Sequence, residues 1–501
     1  MKIKLKEHEF WYGGCSAWGI HMPLSSDSRE KLQLSPNPTP NQGMPLLLSS
    51  KGRYLWLEGC DRISFRDGII TCPDRAILQD TGSTLKTAYL AAMEAYFPPS
   101  GALPAEALFK APIFNTWIEL TFYESQDAVL RYARGILEHG FQPGVLMIDD
   151  GWSECYGAWA FHSGHFPDPK AMLAELHSMG FQVMLWICPY ITPDSIAFRE
   201  ARAKQLLLTD KDGSPFLIDW WNGYSAGLDL SNPFACLWLR QQLDALRAFG
   251  VDGFKLDGGD ALHYGGAYSH GSPVDPNEFS RLWTVFGEEY PYNEYRAAWG
   301  CGNRPLLQRL CDKDHSWGDT GLAALIPDTL AQNITGHSFV CPDMVGGGEY
   351  LNFAENSENL DQDLFLRHCA AACLMPSIQF SASPWRILTV DQLETIHAQL
   401  ALREKWLSYL MKTLKASAEE GTPAVRYLEY DFPGENCERI TDQFMLGDSL
   451  LVAPVLEKGA VSRSVYLPGG TWTRDHKVIE SAGETVTLDC DRTYMIVLKK
   501  V

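Results

Sequence analysis

The chain has 501 residues, well beyond the size at which one hydrophobic core keeps growing, so two or three domains are expected and a lone binding module is disfavoured. Its 46% apolar, 12% aromatic and 21% charged residues describe a folded protein and exclude collagenous, coiled-coil and disordered chains. With 62 acidic against 42 basic residues, the formal charge of −20 repels phosphate backbones and anionic membranes, which argues against nucleic acid and membrane surfaces as partners.

In chain order, the N-terminal stretch MKIKLKEHEFWYGG alternates charged and apolar residues without the apolar run of a signal segment, and no later run is long enough to cross a bilayer. A cytoplasmic location is expected. The 13 cysteines are odd in number and contain no CxxC pair, so they read as reduced thiols. Short β-type segments at 54–57, 63–65 and 68–72 are separated by turn residues, and LSPNPTPNQG at 34–43 reads as a loop. From about residue 111, apolar runs alternate with amphipathic patterns, the sequence form of repeated βα units. Strands are expected at 116–120, 145–148, 183–187, 227–230, 253–256, 297–300, 338–340 and 377–380, with helices at 126–139, 169–179, 233–249, 277–290 and 322–334. After a long helical pattern from 390 to about 415, strands return at 424–430, 449–454, 464–467 and 494–498. The expected class is α/β: a (β/α)8 barrel over 111–415, a short N-terminal β-domain over 1–110 and a C-terminal β-sandwich domain over 416–501.

In such a barrel the chemistry sits where strands end, and here the runs end in aspartate. VLMIDDGW supplies Asp149 and Asp150, GLDL supplies Asp229, GFKLDGGD supplies Asp257 and Asp260, SWGDTG supplies Asp319, and FVCPDMVGGG supplies Asp343. Singly, each also reads as turn chemistry after a strand. Together, carboxylates with aromatic neighbours form the set a glycosidase needs: an ionised nucleophile, a protonated acid, and groups that grip sugar hydroxyls. The 16 Trp, 20 Tyr and 23 Phe add flat faces that suit sugar rings as well as cores. A metal centre is not favoured: Cys155, His162 and His165 fit no standard zinc spacing, and Asp149-Asp150 comes without a phosphate cradle. No cofactor is expected.

These stretches resemble glycoside hydrolase family 31. GVDGFKLDGGD is similar to the nucleophile strand of the family, SWGDTG to its acid/base loop, PDMVGGG to its Asp-x-x-Gly-Gly segment, and residues 447–472 to its barrel-exit and β-domain signature. The IDD segment before Trp152, WWNG at 220–223, LIP at 325–327 and MPSIQFSASPWR at 375–386 resemble in particular the α-galactosidase branch that contains the myogenesis-regulating glycosidase. The resemblance implies Asp257 as nucleophile and Asp319 as acid/base, with Asp149 and Asp150 holding distal hydroxyls of the terminal sugar. It implies Trp186 and Trp221 as pocket lining, Arg304 or Arg309 as the group orienting the nucleophile or a hydroxyl, and Lys255, Trp317 and Asp343 as further substrate-binding residues. The chain departs from the usual pattern at Asp260, where the family carries Glu, and at Thr320, where Asn is common.

The expectation is a retaining exo-acting α-glycosidase, its two carboxyls about 5 to 5.5 Å apart. Asp319 is expected to keep its proton near neutrality through burial or through the charge of Asp257. The favoured substrate is an α-D-galactoside at the end of a small oligosaccharide, with α-glucoside, α-xyloside and sulfoquinovoside as alternatives. A non-catalytic sugar-binding protein on the same fold would bind without turnover, and a metal-dependent hydrolase would lose activity to chelator. Self-association stays open.

Overall fold

A computed structural model of the chain describes residues 1–355, 357 and 359–501. Contacts divide it into two compact units, one of Met1–Leu34, Gly43–Leu103 and Cys301–Val501, the other of Ser35–Gln42 and Pro104–Gly300.

The second unit holds five parallel strands: β1 (Ile113–Asn115), β2 (Val145–Ile148), β3 (Gln182–Ile187), β4 (Gly253–Leu256) and β5 (Tyr292–Tyr295). Their order in the sheet is their order in the chain, with registers such as Met147 opposite Met184 and Trp186 opposite Lys255. The VLMI of β2 and the QVMLWI of β3 lack polar alternation because both faces of a parallel sheet are covered. The helices between them start on residues chosen for the task. Asp168-Pro169, Asn232-Pro233 and Asp275-Pro276 each place a side-chain acceptor at the N-cap and a proline in the first turn. Between β3 and β4, the hairpin Leu217–Trp220 and Gly223–Gly227 joins Tyr190–Ile191 in a separate three-stranded antiparallel sheet.

In the first unit, β6 (Gln308–Arg309) pairs in parallel with β7 (Val340–Cys341), and a parallel bridge from Met344 to Gln379 leads to β8 (Gln379–Phe380). These eight parallel strands, each but β5 followed by one or more helices, are those of a (β/α)8 barrel. The N-terminal part folds as antiparallel sheets. The helix Val390–Glu420 is opened by a Thr389 capping box and closed by Gly421 in the left-handed region at φ 68°. Beyond it, a six-stranded sheet and the pair Ser462–Leu467 with Glu484–Asp489 enclose a core around Trp472, Leu451 and Ile496. Among the described residues, no helix is long and apolar enough to cross a membrane.

The expected count of eight strands is reached by a different set. Residues 227–230 are not a barrel strand: Gly223–Gly227 belongs to the antiparallel hairpin. β6, a two-residue strand of Gln and Arg between β5 and β7 in the chain, completes the count. The first strand is Ile113–Asn115, and 117–120 is instead a helical turn. The fifth is Tyr292–Tyr295, ahead of the apolar 297–300.

Candidate active site

Within the second unit, the ends of β2, β3 and β4 bring five of the expected site residues together. Asp149 follows β2, and Lys255 of β4 donates to its Oδ2 at 2.7 Å, both side chains being buried. Asp149 N–H donates to Thr116 Oγ1 at 2.9 Å, and that hydroxyl donates in turn to Glu124. Burial pushes the Glu124 carboxyl well above its ordinary range, and the neighbouring Asp149 and Asp150 add to the rise.

Asp257 follows β4 and is held from three sides. Trp186 Nε1 donates to Oδ2 at 3.0 Å, Arg296 Nε donates to Oδ1 at 3.0 Å, and Gly258 N–H donates to Oδ1 at 2.8 Å. Lys255 Nζ stands 3.8 Å from Oδ2. Three donors and two cations around a buried carboxyl favour the ionised form and fix its direction, which is what a nucleophile requires. Arg296 is itself fixed. Its two terminal nitrogens donate to the two oxygens of Asp260 at 2.8 and 2.9 Å, and Nη1 also donates to the Pro40 carbonyl at 2.6 Å. Gln42 Nε2 donates to the Arg296 carbonyl at 2.7 Å, and Asn277 Oδ1 accepts from Asn37 N–H at 2.8 Å. The segment read from sequence only as a loop thus braces the arginine on Asp257.

Asp150, beside Asp149, accepts from Tyr156 OH at 2.7 Å and from Asn222 Nδ2 at 3.3 Å, and Asn222 also donates to the Tyr156 hydroxyl. Burial lifts the Asp150 carboxyl from 3.8 to about 6. Tyr156 lies in ring contact with both Trp186 and Trp220, at 5.5 Å between centroids in each case. Trp221 is 54% exposed, and the Arg296 guanidinium lies over its ring at 5.2 Å. His162 and His165 stack on each other at 4.2 Å. Among the described residues, no three His, Cys, Asp or Glu side chains stand together as a metal-binding group.

Within the first unit, Arg309 of β6 is fully buried and donates from Nη1 to Asp343 Oδ1 at 2.9 Å, to Asp312 Oδ1 at 2.6 Å and to the Leu310 carbonyl. Asp343 Oδ2 accepts from the backbone N–H groups of Lys313 at 2.8 Å and Gly348 at 3.1 Å. Burial pushes the Asp343 carboxyl up to about 7 against the pull of Arg309, with Asp312 adding to the rise. A Cβ at Gly348 would fall 2.9 Å from Asp343 Oδ1 and 3.0 Å from Asp312 Oδ1, so a larger residue there would have to displace these carboxylates. Asp319 lies exposed in the loop between β6 and the helix Leu325–Ile334, without the burial expected of it. Trp317 is half-buried, donating from Nε1 to Asp361 Oδ2 at 3.0 Å with Lys458 near its ring.

Of the residues expected from sequence, Asp149, Asp150, Trp186, Lys255 and Asp257 converge, and Trp221 reaches them through Arg296. Arg309 gathers Asp343 and Asp312, and Arg304 is half-buried before β6. Asp229, just after the antiparallel hairpin, accepts from the Ser231 and Ser269 hydroxyls at 2.6 and 2.7 Å. Sequence reasoning missed Arg296, Tyr156 and Asn222.

Residues 107–307 match the TIM-barrel domain of glycosyl hydrolases family 31, and residues 421–500 match the C-terminal domain of the same family. The chain belongs to glycosyl hydrolase family 31. It is 34% identical over 415 residues to the myogenesis-regulating glycosidase of Mus musculus, covering 81% of this chain and 58% of that protein. It is 26% identical over 481 residues to an alpha-xylosidase of Lactiplantibacillus pentosus, covering 88% and 60%. The family-31 chain thus spans about three-fifths of the length of these two relatives. Its fold superimposes with a TM-score of 0.84 on a Flavobacterium johnsoniae dextranase of the family complexed with glucose, at 20% identity and covering 100% of this chain and 66% of that one. The same score relates it to an E. rectale sulfoquinovosidase in complex with an aza-sugar inhibitor, at 17% identity and covering 100% and 82%.

Proposed function

We propose that the protein is a retaining, exo-acting α-glycosidase. The observation that carries this reading is the Asp257 carboxylate, oriented by Trp186, Arg296 and Gly258 at the end of a barrel strand in a chain of this family. Asp257 attacks C1 as the bond from C1 to the leaving oxygen breaks, and Asp319 passes its proton to that oxygen. Asp319 then takes a proton from water as the water oxygen attacks C1 and displaces Asp257, so the anomeric configuration is retained. The Asp149–Lys255 pair and the Asp150–Tyr156–Asn222 group offer paired acceptors and donors to the hydroxyls of the terminal sugar.

The substrate we favour is an α-D-galactoside, on the stretches shared with the α-galactosidase branch. An α-xyloside is the second reading, supported by 26% identity over 88% of the chain to a protein named alpha-xylosidase. A hydroxyl-binding site discriminates strongly between partners with and without the group it was built to pair, so one comparison separates the two. The test is kcat/KM on a panel of p-nitrophenyl α-galactoside, α-glucoside, α-xyloside and α-sulfoquinovoside beside Asp257→Asn. Preference for the galactoside, a retained anomer by NMR and an inactive variant support the proposal. Full activity in Asp257→Asn overturns the nucleophile assignment.

A further inference from the structure

The hairpin Leu217–Trp220 and Gly223–Gly227 turns over through two residues, Trp221 and Asn222, with Gly223 at φ 79° closing the turn. Trp220 pairs with Gly223 in the register, so these two side chains sit at the very tip. They part toward two different carboxylates. Asn222 reaches Asp150 and Tyr156. Trp221 lies against the guanidinium that holds the Asp257 carboxylate.

Trp221 is packed at one end and open at the other. Its ring contacts Trp220 at 4.5 Å and His263 at 6.5 Å, and Arg296 covers it at 5.2 Å, yet the residue keeps 54% of its surface in solvent. A large indole left half in water beside a buried nucleophile is costly unless something covers it in use. The residues bracing it are themselves buried: Trp220 is 6% exposed and Arg296 7%. The ring is therefore a stiff platform, since its Arg296 neighbour is tied to Asp257, Asp260 and Pro40.

We infer that the exposed part of Trp221 is the subsite for the leaving group, and that it takes a neutral pyranose ring joined to the terminal sugar through the scissile oxygen. The inference rests on the glycosidase reading above and deepens it. Asn222 belongs to the side of the tip that orders a carboxylate for the terminal sugar, while Trp221 is separated by a single guanidinium from the carboxylate that attacks C1, the atom that bears the leaving group. A pyranose presents an apolar face of C–H groups that an indole covers without needing a charge, and hydroxyls at the ring's rim stay in water. Arg296 acts on this platform as a positioning residue, its cation being committed to two carboxylates.

The experiment compares kcat/KM for a terminal α-glycosyl disaccharide with that for the matching α-glycosyl fluoride, whose leaving group offers no ring to stack. The terminal sugar is the one the wild type cleaves fastest. In Trp221→Ala the disaccharide-to-fluoride ratio is expected to fall about tenfold, mainly through KM for the disaccharide, the scale of one ring-on-ring contact. Trp221→Phe is expected to restore most of the ratio. If both substrates fall in parallel, or the ratio does not move in either variant, the leaving-group subsite is overturned and Trp221 serves only to steady Arg296. A wild type that cleaves no α-glycosyl fluoride overturns the glycosidase reading itself, an outcome distinct from the first.

Discussion

Replacing Arg296 with methionine keeps most of the side-chain length and removes its charge. Asp257 loses a donor at 3.0 Å, Asp260 loses both partners of its fork, and Lys255, 3.8 Å away, still faces the nucleophile with a positive charge. Opposite charges about 4 Å apart attract by about 4 kcal/mol at an effective dielectric of ~20, and an adjacent arginine typically moves a carboxyl by about one to three pH units. The sign is fixed by the charge: without the guanidinium the carboxylate is less favoured, so Asp257 ionises at higher pH and activity is lost first on the acid side. The acidic limb of kcat/KM on an aryl α-glycoside should therefore move to higher pH by about one to three units in Arg296→Met. Stability should fall as well, since removing one partner of a buried ion pair costs about 3–5 kcal/mol, so the profile is recorded at a temperature where circular dichroism shows the variant folded. Arg296→Lys should recover part of the limb, because lysine restores charge without the planar fork. An acidic limb that stays in place while the whole profile drops would show that Arg296 does not control the ionisation of the nucleophile.

Asp319→Asn should depress turnover of a poorly leaving alkyl glycoside far more than that of a glycosyl fluoride, which needs no protonation; equal losses on both would remove Asp319 from the acid role. Asp150, lifted to about 6, should gain a proton as pH falls through that value, so KM rises below pH 6 in the wild type and stays flat in Asp150→Asn. The same lift favours the folded state fully below the unfolded value near 4 and loses that advantage as pH rises through about 6, at most about 3 kcal/mol; the melting temperature of Asp150→Asn relative to wild type should accordingly be higher at pH 8 than at pH 4. Gly348→Ala places a methyl 2.6 Å from Met344 Cε and against two carboxylates, and should destabilise the fold by about 1–3 kcal/mol in a denaturant titration. Chelator should leave hydrolysis unchanged; a loss restored by added divalent metal would bring back the metal-dependent reading.

What the sequence disclosed follows from burial on both faces of the sheet. β2 and β4 coincide with the apolar runs at 145–148 and 253–256, and the helix Pro233–Phe249 coincides with its amphipathic pattern, because each is apolar where it packs. β5 reads YNEY and β6 reads QR; their Asn293, Glu294, Gln308 and Arg309 are buried polar residues, so no apolar run marks them. That concealment also hid Arg296. With the strand placed at 297–300 the arginine falls before it, whereas after Tyr292–Tyr295 it occupies the strand end where barrel chemistry gathers. Asp229 shows the opposite error, an apolar approach to a carboxylate that proved to be hairpin and turn. Asn222 stood inside the WWNG stretch without showing its role and Tyr156 carried no signal, since their positions depend on how two separate hairpins outside the barrel strands fold.

The eight residues Ser35–Gln42 lie more than sixty positions before the rest of their unit and outside the 107–307 stretch that matches the barrel domain. Their carbonyl at Pro40 and amide at Gln42 hold both ends of Arg296. The site around Asp257 is consequently not a cassette that can be excised by its boundaries. A transplant of 104–300 alone would carry every carboxylate of this unit's site and leave behind the strap that aims one of them, whereas a graft that also supplies the octapeptide, tethered or added as a separate peptide, would carry that strap as well.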